Sequence, residues 1–367
     1  MNPVRSSNKK PDLLGDGRRS RLAANAFGFI SNHDKTSNGV KRLLLRVDFN
    51  VPTLNGKITD DFRIVSHLPT IKYYLKKNYK IILISHLEQS GKIPHFGFLQ
   101  KFLEKKLKIK NITLLENLRL NPGEKKNDLG FAKKLASFGD IFVNDAFGSS
   151  HRKHASIVGI PKFLPSYLGP LFKKEIKELS RVFVPKHPFL LVIGGNKFKT
   201  KEPVISKFFP KANYIFVGGV LANTFLKQRG NDVGKSLVEN IKIPKNILWN
   251  KKIILPVDFA IKNGKIYDSG PATAKILEDL AKKSKFILWN GTFGVCEKGF
   301  DFGTKSFAKA LGKSKAYKIA GGGDTVTAIH KFGLQKNFDF ISTGGGAMLE
   351  FLATSTLPGI DAIKKKR

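Results

Sequence analysis

At 367 residues the chain is long enough for two domains with separate cores. Its single cysteine, Cys296, excludes an intramolecular disulfide, and no apolar run approaches the roughly 18 residues of a membrane span, so a globular, cytoplasmic protein without a membrane partner is expected. The formal net charge of +37 invites a nucleic-acid reading, but it rests on 53 Lys against 12 Arg and is spread along the chain, which points to a solvated lysine-rich surface and no dedicated nucleic-acid site.

Residues 1–38 show no sustained periodicity and are rich in Ser, Asn, Gly and Arg; they read as an extension, with no apolar core for secretion. From Arg42, LLLRVDFNVP reads as a buried strand leaving into a loop, and Asn55 to Lys57 as a turn. ITDDFRIVSHLPTIKYYLKKN follows as a helix with an apolar stripe at Ile64, Leu68, Ile71 and Leu75. KIILISHL, ITLLENLRL and DIFVNDAFG supply further strands with helical stretches between them. The alternation predicts a parallel sheet covered on both faces, with ligands beyond the strand C-termini.

Gly169 to Val184 reads as a helix with apolar residues at Leu171, Phe172, Ile176 and Leu179, followed by Pro185 and Pro188, a rigid connector. The alternation then restarts through FLLVIGGNK, YIFVGGVLANTFLKQRG, KIILPVDFAI, FILWNGTFG, AYKIAGGG and FDFISTGGG. Twice, at Gly321 to Gly323 and Gly344 to Gly346, an apolar run meets three glycines and then a helical segment. Such loops bring backbone N–H groups and a helix N-terminus to an anion, and Asp324 beside the first calls for a cation such as Mg2+ between the two negative groups.

Three motifs lead elsewhere. GNDVGKS (Gly230 to Ser236) resembles a phosphate-binding loop but has three residues between its glycines and follows a helix, so Gly230 reads as a helix C-cap. Asp301 to Gly303 spells a kinase metal-binding tripeptide without the loops that accompany it. Cys296 has no histidine nearby in sequence and reads as a packing residue.

Two constellations remain. Arg46, Arg63, Arg119 and Arg152, with His86 and His151, sit at strand exits with Asp48, Asn50 and Asn117 and form a candidate basic pocket for a small phosphorylated acid. Lys197 and Lys201 beside a Gly-Gly turn, Gly218 and Gly219, Asn290, Glu297 and the two triple-glycine loops are an inventory for a nucleoside triphosphate with its metal.

From about Arg42 to Ile363 these motifs resemble the phosphoglycerate kinase family. RVDFNVP (Arg46 to Pro52), ITDDFRI (Ile58 to Ile64), LLENLR (Leu114 to Arg119), VNDAFG with HRKHAS (Val143 to Ser156), LPVDFAI, WNGTFGV, GGGDT and STGGGAMLEFL are similar to that family's signatures, in its order. The resemblance implies an α/β fold of two Rossmann-like three-layer domains with parallel sheets, joined by a hinge helix. The corresponding division is an extension at 1–38, a 3-phosphoglycerate domain at 39–171, an interdomain helix at 172–185, a nucleotide domain at 186–345 and a segment at 346–367 returning to the first domain. It implies that Asp48, Asn50, Arg63, His86, Arg119 and Arg152 hold 3-phosphoglycerate. By the same resemblance Lys201, Glu297 and the loop Gly321, Gly322, Gly323, Asp324, Thr325 would hold ATP or ADP, with Gly195, Gly218, Gly219, Gly294 and Val295 lining the adenosine pocket. In that scheme Glu297 would take the ribose hydroxyls and Asp324 the magnesium.

The implied reaction is reversible phosphoryl transfer between 1,3-bisphosphoglycerate and ADP by a monomer, with Arg63 and Lys197 neutralising the transferred group and the N–H groups of Gly322, Gly323, Gly344 and Gly345 adding hydrogen bonds. The chain also departs from the family. SHLEQS replaces SHLGRP, so Glu88 stands where Gly is expected and Gln89 where an Arg is expected; the segment from His86 to Leu114 is shortened, and WNGTFGVCE replaces WNGPMGVFE. An acid at this place is expected to weaken substrate binding. Two alternatives follow, a nucleotide-binding protein with an impaired phosphoacid site and a basic polyanion binder.

Overall fold

The computed structural model describes residues 39–107 and 112–364; the extension at 1–38, part of the lysine-rich run FLEKKLKIK and the last three residues lie outside them. The first half holds β1 (Arg42–Arg46), the hairpin β2 (Thr53–Leu54) and β3 (Lys57–Ile58), α1 (Phe62–Lys76), β4 (Lys80–Ile84), α2 (Gly97–Leu107) and β5 (Ile112–Leu114). Short helices α3 (Pro122–Lys126) and α4 (Leu129–Ala136), then β6 (Ile141–Asn144) and β7 (Ser166–Leu168), complete it. The five long-sheet strands are all parallel, in the order β5-β4-β1-β6-β7. Leu43, Leu44 and Leu45 are all fully buried, which is why β1 reads as a continuous apolar run and not an alternating one.

The second half repeats the plan. After the connector α5 (Pro170–Ser180) come β8 (Phe189–Ile193), α6 (Glu202–Phe208), β9 (Tyr214–Val217), α7 (Gly219–Gln228), α8 (Lys245–Leu248) and β10 (Ile253–Ile254). Next are the hairpin β11 (Phe259–Lys262) and β12 (Lys265–Ser269), α9 (Pro271–Lys283), β13 (Phe286–Asn290), α10 (Phe302–Leu311), β14 (Tyr317–Gly321), α11 (Gly323–Lys331), β15 (Phe340–Ile341), α12 (Gly345–Thr354) and α13 (Pro358–Lys364). Its parallel sheet runs β10-β9-β8-β13-β14-β15.

In both sheets the order of addition reverses beside the first strand, between β1 and β6 and between β8 and β13. A crevice opens at such a switch point, and the candidate residues follow those strands. The halves are not isolated: Phe147 of the first, Phe172 of α5 and Phe351, Leu357 and Ile360 near the C-terminus share one apolar cluster with the face of the second sheet. The N–H of Gly359, in α13, donates to the Ser150 carbonyl at 3.0 Å.

The structure corrects some sequence-based spans. KIILPVDFAI is not one strand; Pro256 lacks the N–H a ladder needs, and the run divides into β10 in the sheet and β11 in a hairpin closed by Asn263 and Gly264 at positive φ. The connector helix stops at Ser180, with a 3-10 turn over Arg181–Phe183. Gly230 does lie just past α7 with φ +86°, as a C-cap glycine should.

Candidate functional site

The basic residues of the first half meet around the β1 and β6 exits. Arg46 is almost wholly buried: its Nε donates to Ser156 Oγ at 2.9 Å, one Nη to the Val47 carbonyl, and the other faces His86 Nδ1 at 3.1 Å. Ser156 is itself fixed by Glu124, a fully buried carboxylate that accepts from its N–H and hydroxyl. Burial lowers the Arg46 pKa to about 10, with Glu124 and Asp48 opposing. His86 has its other ring nitrogen 3.4 Å from Arg152 Nη1. Burial and the Arg46 charge hold His86 well below the usual histidine range, so the ring is neutral.

Asp48 is buried, 3.7 Å from Arg63 Nη1. Burial raises its pKa, but Arg63 and Arg46, with the N–H of Asn50, outweigh that and keep it ionised. Its N–H donates to His67 Nε2 at 3.0 Å, which leaves the ring proton on Nδ1, facing Asp145 Oδ2 at 3.1 Å. Asp145 then accepts from Phe172 N–H in the first turn of α5. The Asp48 loop is therefore tied by a buried chain to the connector. Arg63 donates to the Asn50 carbonyl at 2.9 Å and keeps part of its guanidinium exposed.

Arg119 is nearly buried, with Nη1 3.0 Å from His154 Nδ1 and Nε 3.0 Å from Glu88 Oε2. The latter contact is charge pairing without hydrogen-bond alignment, since Nε has no directed partner. Asn117 is consumed structurally, accepting from Leu87 and Arg119 N–H groups and donating to the Leu87 and Pro94 carbonyls. His154, absent from the sequence-based set, stands among Arg119, Arg152 and Arg46; burial and then Arg119 bring it down to about 3. It shares HRKHAS with His151 and Arg152, which is the signal that could have found it.

The second half offers mostly backbone. Gly195, Gly219, Gly294, Val295, Glu297 and Asp324 line a cleft of about 880 Å3. Gly218 and Gly321 instead serve close packing: a Cβ on them would meet Phe293 at 2.7 Å and Met348 Sδ at 2.1 Å. The three glycines of the first loop differ in task, Gly321 closing β14, Gly322 turning at φ +104° and Gly323 opening α11. Lys197, Lys201, Asn290, Gly322, Gly323, Asp324, Thr325 and Gly345 line a second cleft. Lys201 Nζ contacts Asn290 Oδ1, while Asn290 Nδ2 is buried without a partner. Burial lowers Lys201 to about 8, and Asp324 opposes this. The Thr325 hydroxyl accepts from the Gly291 N–H at 2.7 Å. Asn196, next to Gly195, lines both clefts and was missed as a one-residue neighbour of a recognised turn; Gln89 and Ser90 of the first half also reach the large cleft.

The two sites adjoin. A cleft of about 210 Å3 is lined by Asn50 and Arg63 from one side and by Gly322, Gly323, Asp324 and Gly345 from the other. A Cβ at Gly345 would lie 3.2 Å from the Gly323 nitrogen, so the glycine loops touch each other, and one at Gly148 would lie 2.5 Å from Asp48 Oδ2 and 3.3 Å from the Thr343 carbonyl. Where the loops meet, fully buried Glu175 of α5 accepts from Thr343 N–H and hydroxyl and from Ser342.

A side-chain anion pocket facing a glycine-lined cleft across one chain is the arrangement of a two-substrate phosphotransferase. The model of the family described as Phosphoglycerate kinase matches residues 34–107 and 96–355. The phosphoglycerate kinase of Pseudothermotoga lettingae is 42% identical over 384 aligned positions, covering 89% of this chain and 96% of the relative. That aligned length exceeds the 367 residues here, so the relative carries segments this chain lacks. The solved phosphoglycerate kinase of Coxiella burnetii matches with a TM-score of 0.75 and 36% identity, covering 89% of this chain and 97% of that one. For the Pyrococcus horikoshii OT3 enzyme the values are 0.78, 29%, 88% and 96%. The chain belongs to the phosphoglycerate kinase family, and its activity is that family's phosphoryl transfer between 1,3-bisphosphoglycerate and ADP; neither alternative reading is favoured.

Proposed function

We propose that the transferred phosphoryl group sits in the cleft shared by Arg63, Gly322, Gly323, Asp324 and Gly345, with 3-phosphoglycerate on the arginine side and the nucleotide on the glycine side. The single observation supporting this is that Arg63 and both triple-glycine loops line one cavity. In the direction of ATP use the acceptor is a carboxylate, already ionised at pH 7, so no general base is needed. Catalysis rests on position and charge: Arg63 and Lys197 balance the equatorial oxygens, and the N–H groups opening α11 and α12 donate to them. Asp48, Asn50, His86, Arg119, His151 and Arg152 hold the phosphoacid, with Arg46, its N–H groups engaged within the protein, supporting His86. Gly195, Gly219, Gly294, Val295 and Glu297 receive adenosine, and Lys201 and Asn290 the phosphates.

Asp324 fits a magnesium site. It is exposed and lines all three clefts, and no cluster of three His, Cys, Asp or Glu exists among the described residues, so the ion would take one carboxylate plus nucleotide phosphate oxygens and water, as Mg2+ prefers. When bound it shields phosphate charge. The domain division at 39–171 and 186–345, with α5 as hinge and 346–367 as the returning segment, completes the proposal, together with action as a cytoplasmic monomer; among the described residues no helix is long and apolar enough to cross a membrane. A coupled assay of ATP consumption with 3-phosphoglycerate and Mg2+ tests the assignment. Arg63→Ala is expected to lower kcat by about 10²- to 10³-fold; full turnover in that variant would refute it.

A further inference from the structure

The loop after β4 carries a carboxylate up to the arginines of the proposed phosphoacid site. Its backbone is held at Leu87 by Asn117 through both N–H and carbonyl and at Glu88 by Asn50 Oδ1, which accepts from its N–H at 3.1 Å, while the Gln89 side chain is held through Oε1 by the N–H and hydroxyl of Thr53 at 3.0 and 2.9 Å. The Glu88 side chain is therefore delivered to one place. There Oε2 lies 3.0 Å from Arg119 Nε and Oε1 2.7 Å from Lys125 Nζ. The two cations differ. Arg119 has a side chain only 2% exposed and also contacts His154, whereas Lys125 is 52% exposed. Because Arg119 Nε faces the carboxylate off line, the pairing is electrostatic and can be broken without loss of an aligned hydrogen bond. Gln89, held on Thr53, adds no charge in return.

We infer that Glu88 sets the specificity of the phosphoacid pocket: its carboxylate occupies Arg119 in the unliganded protein, and an entering phosphoacid must displace it onto Lys125. The pocket thus selects for ligands anionic enough to win that exchange and excludes weaker anions. This rests on the proposed phosphoacid site.

The test uses the full chain and steady-state kinetics, with inorganic sulfate as a non-reacting probe. Glu88→Gln, which removes the charge and keeps the shape, is expected to lower KM for 3-phosphoglycerate and Ki for sulfate by about three- to fivefold, the range open to a partly exposed ion pair. KM for ATP stays within twofold. In an Arg119→Gln background the same change gives no gain, since the cation it competed for is gone. Glu88→Ser, with a side chain too short to reach Arg119, repeats the gain and guards against a perturbation special to Gln. An unchanged or raised KM and Ki in both variants overturns the inference and makes Glu88 a support for Arg119. Arg63→Ala in parallel separates the two readings: if it leaves KM and kcat untouched, the site assignment fails and takes this inference with it; if it is impaired while Glu88→Gln and Glu88→Ser are neutral, only the inference fails.

Discussion

The two halves share a strand order, the second with one strand more, but build their proposed anion sites differently. The first assembles charged and aromatic side chains, Arg46, Arg63, Arg119, Arg152, His86, His151 and His154, and spends much of its polar inventory holding those chains in place. The second uses backbone, with glycines where loops cross and α11 and α12 beginning at the cleft. Side-chain sites can be tuned by charge and pH; backbone sites are set by sterics and tolerate little.

The strongest contrast is expected at Gly291, with φ +105° and a Cβ position 2.2 Å from the Gly194 backbone. Gly291→Ala should displace the Gly194 turn, lower stability by about 2–4 kcal/mol and abolish measurable ATP binding, read by urea unfolding and calorimetry. No first-half alanine substitution in the pocket should match that loss of nucleotide binding. Lys197→Ala comes next. Lys197 is exposed at the cleft with no side-chain partner to hold, so its removal should cost about 10²-fold in kcat and little in nucleotide affinity; an equal loss in both would end its assigned role.

Glu175 joins the halves and follows a different rule. Burial raises its pKa to about 7 despite three hydrogen bonds from Thr343 and Ser342. A carboxyl more basic when folded binds more protons in the native state, so its stabilising contribution is complete below its unfolded pKa of about 4.5 and is lost as pH rises through about 7. Glu175→Gln, which removes the titration but offers one acceptor oxygen where Thr343 and Ser342 use two, should flatten that decline and gain about 1–3 kcal/mol on the parent between pH 5 and pH 8. Thermal unfolding from pH 5 to 8 decides it; parallel curves for both proteins would exclude the titration.

The sequence made much of this readable because apolar runs such as Leu43 to Leu45 and Phe189 to Ile193 are buried on both faces and interrupted only where strands end. Polar residues just beyond those ends then had one destination, the crevice. Less visible was β7, three residues between Pro165 and Gly169 with no run to announce it. Also hidden were contacts across distance: Glu88 reaching Arg119, Gln89 and Ser90 reaching the large glycine-lined cleft, and Glu175 reaching Thr343. Periodicity reports which face a residue takes on its own element, not which loop of the other half it will meet. The engagement of Arg46 was likewise illegible, since an arginine after a strand looks the same whether it awaits a ligand or holds a histidine.

The smallest expected effect is also the one only a side-chain site can produce. His86, His151 and His154 are all depressed, each first by burial and then by neighbouring arginines, Arg46 for His86, Arg152 for His151 and Arg119 for His154. Because the folded values lie below the unfolded one, about 6.5, these groups stabilise the fold above that pH and withdraw the contribution as pH falls. An anion entering the pocket offsets the arginine field and shifts the three values back up, so binding must draw protons from solution. Sulfate is the right probe because it stays dianionic where a phosphate would itself titrate near pH 6. Calorimetry at pH 5.5 in two buffers of different ionisation enthalpy should show uptake of a few tenths of a proton per sulfate bound, falling towards zero at pH 7.5 as the shifted values drop out of range. Net release, or uptake independent of pH, would mean that the histidines do not sense the ligand and that the pocket behaves, like the glycine side, as a fixed electrostatic frame.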